Sequence, residues 1–145
     1  MSALYENFGV SFMYPENWQV ADESDQLDAG PKTVSVNSPG GGFWELHVYE
    51  PAVDPQHLAD QFRLTMEGEY EGLESSPVTE TIGQTTATGY DMDFYCLDFV
   101  VTAQVRSLRV GKRTYVVACQ AESREFDKLA PVFQAMSYSL LHPKA

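Results

Sequence analysis

Apolar side chains at alternate positions mark the first clear element. Phe8, Val10, Phe12 and Tyr14 recur with a period of two, which predicts a strand over 8–14. Pro15, Glu16 and Asn17 turn the chain, and a short second strand is expected over 18–20. Residues 21–31 are polar and include Asp22, Glu23, Asp25 and Asp28, so they read as an exposed loop. Strands at 33–37 and 43–49 flank Ser38-Pro39-Gly40-Gly41-Gly42. That spacing predicts a hairpin with a flexible loop longer than two residues.

The pattern then changes period. Asp54 precedes Pro55, and Leu58, Phe62, Met66 and Tyr70 follow at intervals of four. Asp54 suits a helix cap, Pro55 suits the first helical position, and the interval of four places the apolar residues on one helical face. Gly68 weakens this helix and Gly72 ends it. Strands are expected over 75–82 and 86–98, the second with Tyr90, Met92, Phe94 and Cys96 on one face and Asp91 and Asp93 on the other. Turns at Gly83-Gln84 and Gly111-Lys112-Arg113 punctuate a meander that continues over 101–110 and 114–120. A last helix is expected over 123–140, capped by Ser123, with Phe126, Leu129, Phe133, Met136 and Leu140 as its stripe. Pro131 either kinks it or starts a new helix, and residues 142–145 read as a tail.

Hairpin turns imply antiparallel pairing, and the helix between the strands ending at 49 and starting at 75 is a crossover. The predicted class is α+β, with one mostly antiparallel sheet and two main helices packed on it. Length fits a single domain over 1–145.

Charge narrows the partners. Twenty-one Asp and Glu against nine Lys and Arg give a formal net charge of −12, a field that repels nucleic-acid backbones and anionic membrane surfaces and either serves solubility alone or also favours a basic protein partner. No run of apolar residues is long enough to span a membrane. Met1 to Asn7 lacks a basic region followed by an apolar run, so a cytoplasmic location is expected. Cys96 and Cys119 both sit in apolar strand patterns and are expected to be free buried thiols.

The segment Phe8-Gly-Val-Ser-Phe-Met-Tyr-Pro-Glu-Asn-Trp18 resembles the start of the Mog1/PsbP-like superfamily. Thr33-Val-Ser-Val-Asn-Ser-Pro39 is similar too, as are Gly111-Lys-Arg-Thr-Tyr115-Val-Val and the closing Phe133-Gln-Ala-Met-Ser-Tyr-Ser139. The resemblance implies an α/β/α sandwich with a central antiparallel sheet. It also implies a binding protein rather than an enzyme: some members are photosystem II subunits and one branch binds a nuclear-transport GTPase. The matching positions are structural, so no binding residue carries over.

Chemistry is sparse along the chain. Glu45, His47, Glu50 and His57 lie near one another in sequence, but only Glu45 and His47 share a strand face, short of the three or four ligands a metal needs. Neither cysteine has a base beside it, His142 is in the tail, and no nucleophile elbow occurs. Asp91 and Asp93 are a carboxylate pair, a spacing that alternation on any solvated strand also produces. The glycines at 40–42 join two strands, and Gly111-Lys112-Arg113-Thr114 lacks the rest of a phosphate loop. No cofactor is expected.

Two functions stay open. A non-catalytic protein-binding module would use Trp44 and the loop carrying Gly41 and Gly42, because one of the alternating pair Phe43 and Trp44 is exposed if only one sheet face is covered. With both faces covered, Trp44 and Phe43 are both core. A small-ligand protein or enzyme would instead use a polar cleft between sheet and helix, with Asp91, Asp93 and His47 as its polar groups.

Overall fold

The computed structural model describes residues 1–22 and 31–142. The chain forms β1 (Ser2–Asn7), β2 (Val10–Pro15), β3 (Gln19–Asp22), β4 (Lys32–Asn37), β5 (Phe43–Tyr49), α1 (Pro55–Glu69), β6 (Glu74–Ile82), β7 (Thr85–Cys96), β8 (Phe99–Val110), β9 (Arg113–Glu122) and α2 (Ser123–Leu141). Seven strands make one sheet in the order β3-β4-β5-β9-β8-β7-β6, and every pair in it is antiparallel. β1 and β2 form a separate antiparallel hairpin. The connection through α1 runs from β5, inside the sheet, to β6 at its edge.

The helices cover opposite faces. α1 lies against β7, β8 and β9, while α2 lies against β9 and β2 and reaches β8 and β6. One core holds Phe12, Trp44, Leu46, Val117, Phe133 and Met136 between the sheet, α2 and the β1–β2 hairpin. The other holds Leu58, Met66, Met92, Phe94 and Val105 beneath α1. The two helices are therefore offset, which leaves a polar part of each sheet face outside their cover.

Local signals explain most elements. Asp54 accepts a hydrogen bond from the His57 amide and caps α1. Polar contacts then pin α1 to β7: Thr88 donates to Gln56 at 2.6 Å, and Tyr90 donates to Asp60 at 2.6 Å. The Tyr90 and Gln56 hydrogen bonds hold the Asp60 carboxyl below its ordinary range. Tyr70 stacks on Phe94 at 4.1 Å.

Several expectations change. β1 was not expected, and Phe8 lies in the turn between β1 and β2 with φ 36° rather than in a strand. Ala21 and Asp22 belong to β3, and the remaining acidic residues of the expected loop, Glu23, Asp25 and Asp28, fall outside the described residues. The glycine loop is ordered by Ser38, whose amide donates to the Gly42 carbonyl and whose hydroxyl accepts from the Gly42 amide. β7 stops at Cys96, because Leu97 and Asp98 form the turn into β8. The meander has four strands, β6 to β9.

α2 is one continuous helix through Pro131. Pro131 is on the exposed side of the helix, as is Asp127, whose carbonyl receives no N–H from the proline. Its cap is Glu122, which accepts from the Arg124 amide. Ser123 is drawn away to β8, within 2.8 Å of the Thr102 hydroxyl and donating to the Val100 carbonyl. His142, expected in the tail, stacks on Tyr138 at 4.0 Å.

Candidate functional site

Neither set of residues expected from the sequence comes together as a site in three dimensions. Trp44 is 0 % exposed. Its ring packs 4.7 Å from Phe12, and its Nε1 donates to Ser137 at 3.0 Å. It is a core residue, because the β1–β2 hairpin and α2 together cover that face. Gly42 is buried too: a Cβ there would meet Leu129 at 2.8 Å and Ala121 at 3.2 Å. Gly42 serves packing against α2, and of the loop pair only Gly41 is exposed.

His47, Asp91 and Asp93 do not converge. His47 pairs with Val116, Val116 with Ser107 and Ser107 with Thr88. Even positions of β7 therefore share the α1 face with His47, and Asp91 and Asp93 point to the other side of the sheet. His47 sits beside Glu45 at 3.2 Å and Thr33 at 3.2 Å. Asp91 accepts from Arg106 at 2.7 Å and Asp93 accepts from Thr102 at 2.8 Å. The shared cleft expected of these three residues is absent. Among the described residues no three His, Cys, Asp or Glu side chains converge as metal ligands would.

Arg106 is the centre of the polar side of β6–β8. Only 8 % exposed, it donates from Nε to Glu80 at 2.5 Å and from Nη2 to Asp91 at 2.7 Å. Nη1 donates to the carbonyls of Val105 and Tyr90. Burial opposes its charge, but the hydrogen bonds to Asp91 and Glu80 outweigh that and raise its pKa. To reach Glu80 the side chain crosses β7 at Gly89, the residue paired with Arg106.

The feature sequence reading missed is the β7–β8 turn. Tyr95 is 72 % exposed, Leu97 91 % and Phe99 56 %, with Val100 beside them. Leu97 takes φ 57°, a left-handed conformation that glycine or asparagine adopts at less cost than leucine. Glu71, Glu74, Asp93 and Asp98 are exposed. Glu74 pairs with Asp93 on the neighbouring strand, and Gly72 adjoins Tyr95 and Val100 in a shallow depression. Arg124, at the start of α2, is tied to Glu122 at 3.6 Å. Gly41 lies at this same end of the sheet, since β5 starts opposite the end of β9. The result is an apolar tip rimmed by carboxylates. Arg109, Lys112 and Arg113 sit at the other end of β8.

The cysteines differ from each other. Cys96 is exposed at this tip, contrary to the expected burial, because the strand ends there. Cys119 is buried, and burial pushes its thiol far above the ordinary range. A thiol reagent is therefore expected to modify Cys96 alone in the folded protein and Cys119 only after unfolding in urea. Two rapidly reacting thiols in native buffer would contradict the burial of Cys119.

Comparison with known proteins supports the fold. No family sequence model matches the chain, and no characterised protein matches it in sequence. Solved structures do match in three dimensions. The cyanobacterial PsbP (CyanoP) of Synechocystis sp. PCC 6803 superposes with TM-score 0.63 at 13 % identity, covering 95 % of this chain and 90 % of that one. The Ran-binding protein Mog1p of Saccharomyces cerevisiae gives TM-score 0.53 at 13 % identity over 98 % of this chain and 91 % of that one. LpqN of Mycobacterium tuberculosis, involved in cell envelope biogenesis, gives 0.53 at 11 % identity, with 94 % and 87 % covered. The chain has the Mog1/PsbP-like fold, an α+β architecture built on an antiparallel sheet with two helices.

Proposed function

We propose that this protein is a non-catalytic protein-binding module and that it docks its partner on the β7–β8 end of the sheet. The observation that carries the reading is the exposed apolar turn of Tyr95, Leu97 and Phe99, held in place at a backbone cost by Leu97. Apolar anchors within a polar rim are the usual anatomy of a protein contact. The surrounding carboxylates favour a partner that brings Lys or Arg to this rim, as the net charge of −12 does for the whole chain. That a structure of the same fold is Ran-binding Mog1p supports a protein partner by analogy of fold. A nucleic acid or an anionic membrane surface meets the same negative field and is disfavoured. No helix among the described residues is long and apolar enough to cross a membrane. An exposed, unpaired Cys96 suits a reducing compartment, so the cytoplasm is the proposed location. The chain is taken to act as a single domain over 1–145.

Leu97→Asn tests the proposal by separating stability from binding. Asparagine accepts the left-handed conformation, so the variant is expected to be as stable as the parent or more stable, by up to about 1 kcal/mol. Loss of the anchor is expected to weaken capture of the partner about tenfold or more. Capture by the parent protein should also fall as salt rises. Unchanged capture by Leu97→Asn would remove the hairpin end from the interface.

A further inference from the structure

A second concave site lies away from the β7–β8 turn, between α2 and the polar side of β6–β8. The cleft encloses about 260 Å3. Ile82, Val117 and Phe133 give it apolar walls, and Tyr138 stands at its rim, 54 % exposed. Gln104 from β8 and Gln134 from α2 both line it, and neither side chain makes a hydrogen bond among the described residues. A pair of carboxamides left without protein partners at an apolar-walled cleft offers both donors and acceptors to a guest.

Charge selects the guest. Arg106 at the floor is not available as an anion receptor, because its donors go to Glu80, Asp91 and two backbone carbonyls. Glu80 and Arg106 line the cleft, and Asp91, outside the lining, also accepts from Arg106, so the three-residue cluster carries a net charge of −1. Glu80 uses Oε1 for Arg106 and keeps Oε2 for another donor. Tyr138 stacks one face on His142 and offers the other at the rim, a surface that complements a cation or a flat apolar body. We propose that this cleft binds a small organic cation: a primary amine that meets Glu80 and the two glutamines, carried on a compact apolar body that rests on Ile82 and Tyr138. The volume, below that of most drug-sized pockets, limits the body to about one ring.

Heteronuclear NMR of the Gln104 and Gln134 side-chain amides during titration with phenethylamine tests this. Phenylacetate, with the same ring and the opposite charge, is the control. Phenethylamine is expected to shift both amides saturably, with phenylacetate at least about tenfold weaker. Gln134→Lys puts a competing cation on an exposed position of α2 and should abolish the Gln104 shift without changing the thermal midpoint. Glu80→Gln should weaken phenethylamine by up to about fivefold. The assignment is overturned if phenethylamine gives no saturable shift, if phenylacetate binds as well, or if the shift survives in folded Gln134→Lys protein.

Discussion

Trp44→Ala is expected to cost about 3–5 kcal/mol of stability. The side chain is fully buried, touches Phe12, and sits where the β1–β2 hairpin, the sheet and α2 meet. Truncation removes a large apolar surface from the core and leaves a cavity that three elements would have to collapse together to fill. It also leaves the Ser137 hydroxyl without the Nε1 donor. For a domain of ordinary stability, about 5–15 kcal/mol, this is a large share of the total. Urea denaturation reads it as a fall in the midpoint at an unchanged slope. Trp44→Phe keeps most of the apolar volume and should cost clearly less. A Trp44→Ala loss below about 1 kcal/mol would mean that the hairpin does not close this face.

The second large effect falls on Gly89. A Cβ at this position would lie 1.7 Å from the Val105 carbonyl oxygen and 3.2 Å from the Arg106 Cα. Both obstacles are backbone of the neighbouring strand, so no rotamer change relieves them. Gly89→Ala must push β7 and β8 apart in the middle of the sheet, at the point where Arg106 crosses to Glu80. The expected cost is about 3 kcal/mol. At roughly 2–4 °C per kcal/mol for a chain near this length, the thermal midpoint should drop by about 6–12 °C. A second reading comes from amide hydrogen exchange: protection in β7 and β8 should fall more than in β4 and β5. A stable Gly89→Ala protein with unchanged protection would rule out the close strand approach.

How far the sequence reaches depends on whether the deciding contact is local. β5 was legible over its full span, 43–49, since alternation alone sets a strand. α1 was legible because Asp54-Pro55 carries its own start signal. β1 was not, because Leu4 and Tyr5 are adjacent apolar residues of which only Tyr5 is buried, so no alternation showed. The glycine loop read as flexible, since Ser38 does not announce in sequence that it will hold Gly42.

The candidate site was less legible than the fold. Leu97, Phe99 and Val100 look like core strand residues in one dimension, and only the register places Leu97 in the turn at the free end of β7 and β8. The opposite placement of His47 and Asp91 depends on β9 and β8 lying between their strands. That order is a long-range property which composition does not encode. Trp44 depended in the same way on a hairpin from the other end of the chain. The signal that could have pointed to the turn was the pairing of Leu97 with Asp98 where a hairpin usually carries glycine or asparagine.

The claim that the β7–β8 end is the docking surface is tested most directly by a photo-crosslinker attached to Cys96. The burial of Cys119 lets the reagent find Cys96 alone. The control carries the same reagent on Lys112→Cys in a Cys96→Ser background, at the opposite end of β8. In lysate of the source cells, Cys96 should give one discrete adduct that weakens with salt and disappears in Leu97→Asn, while position 112 gives none. No adduct from Cys96, or an adduct that persists in Leu97→Asn or forms equally from position 112, would contradict the account.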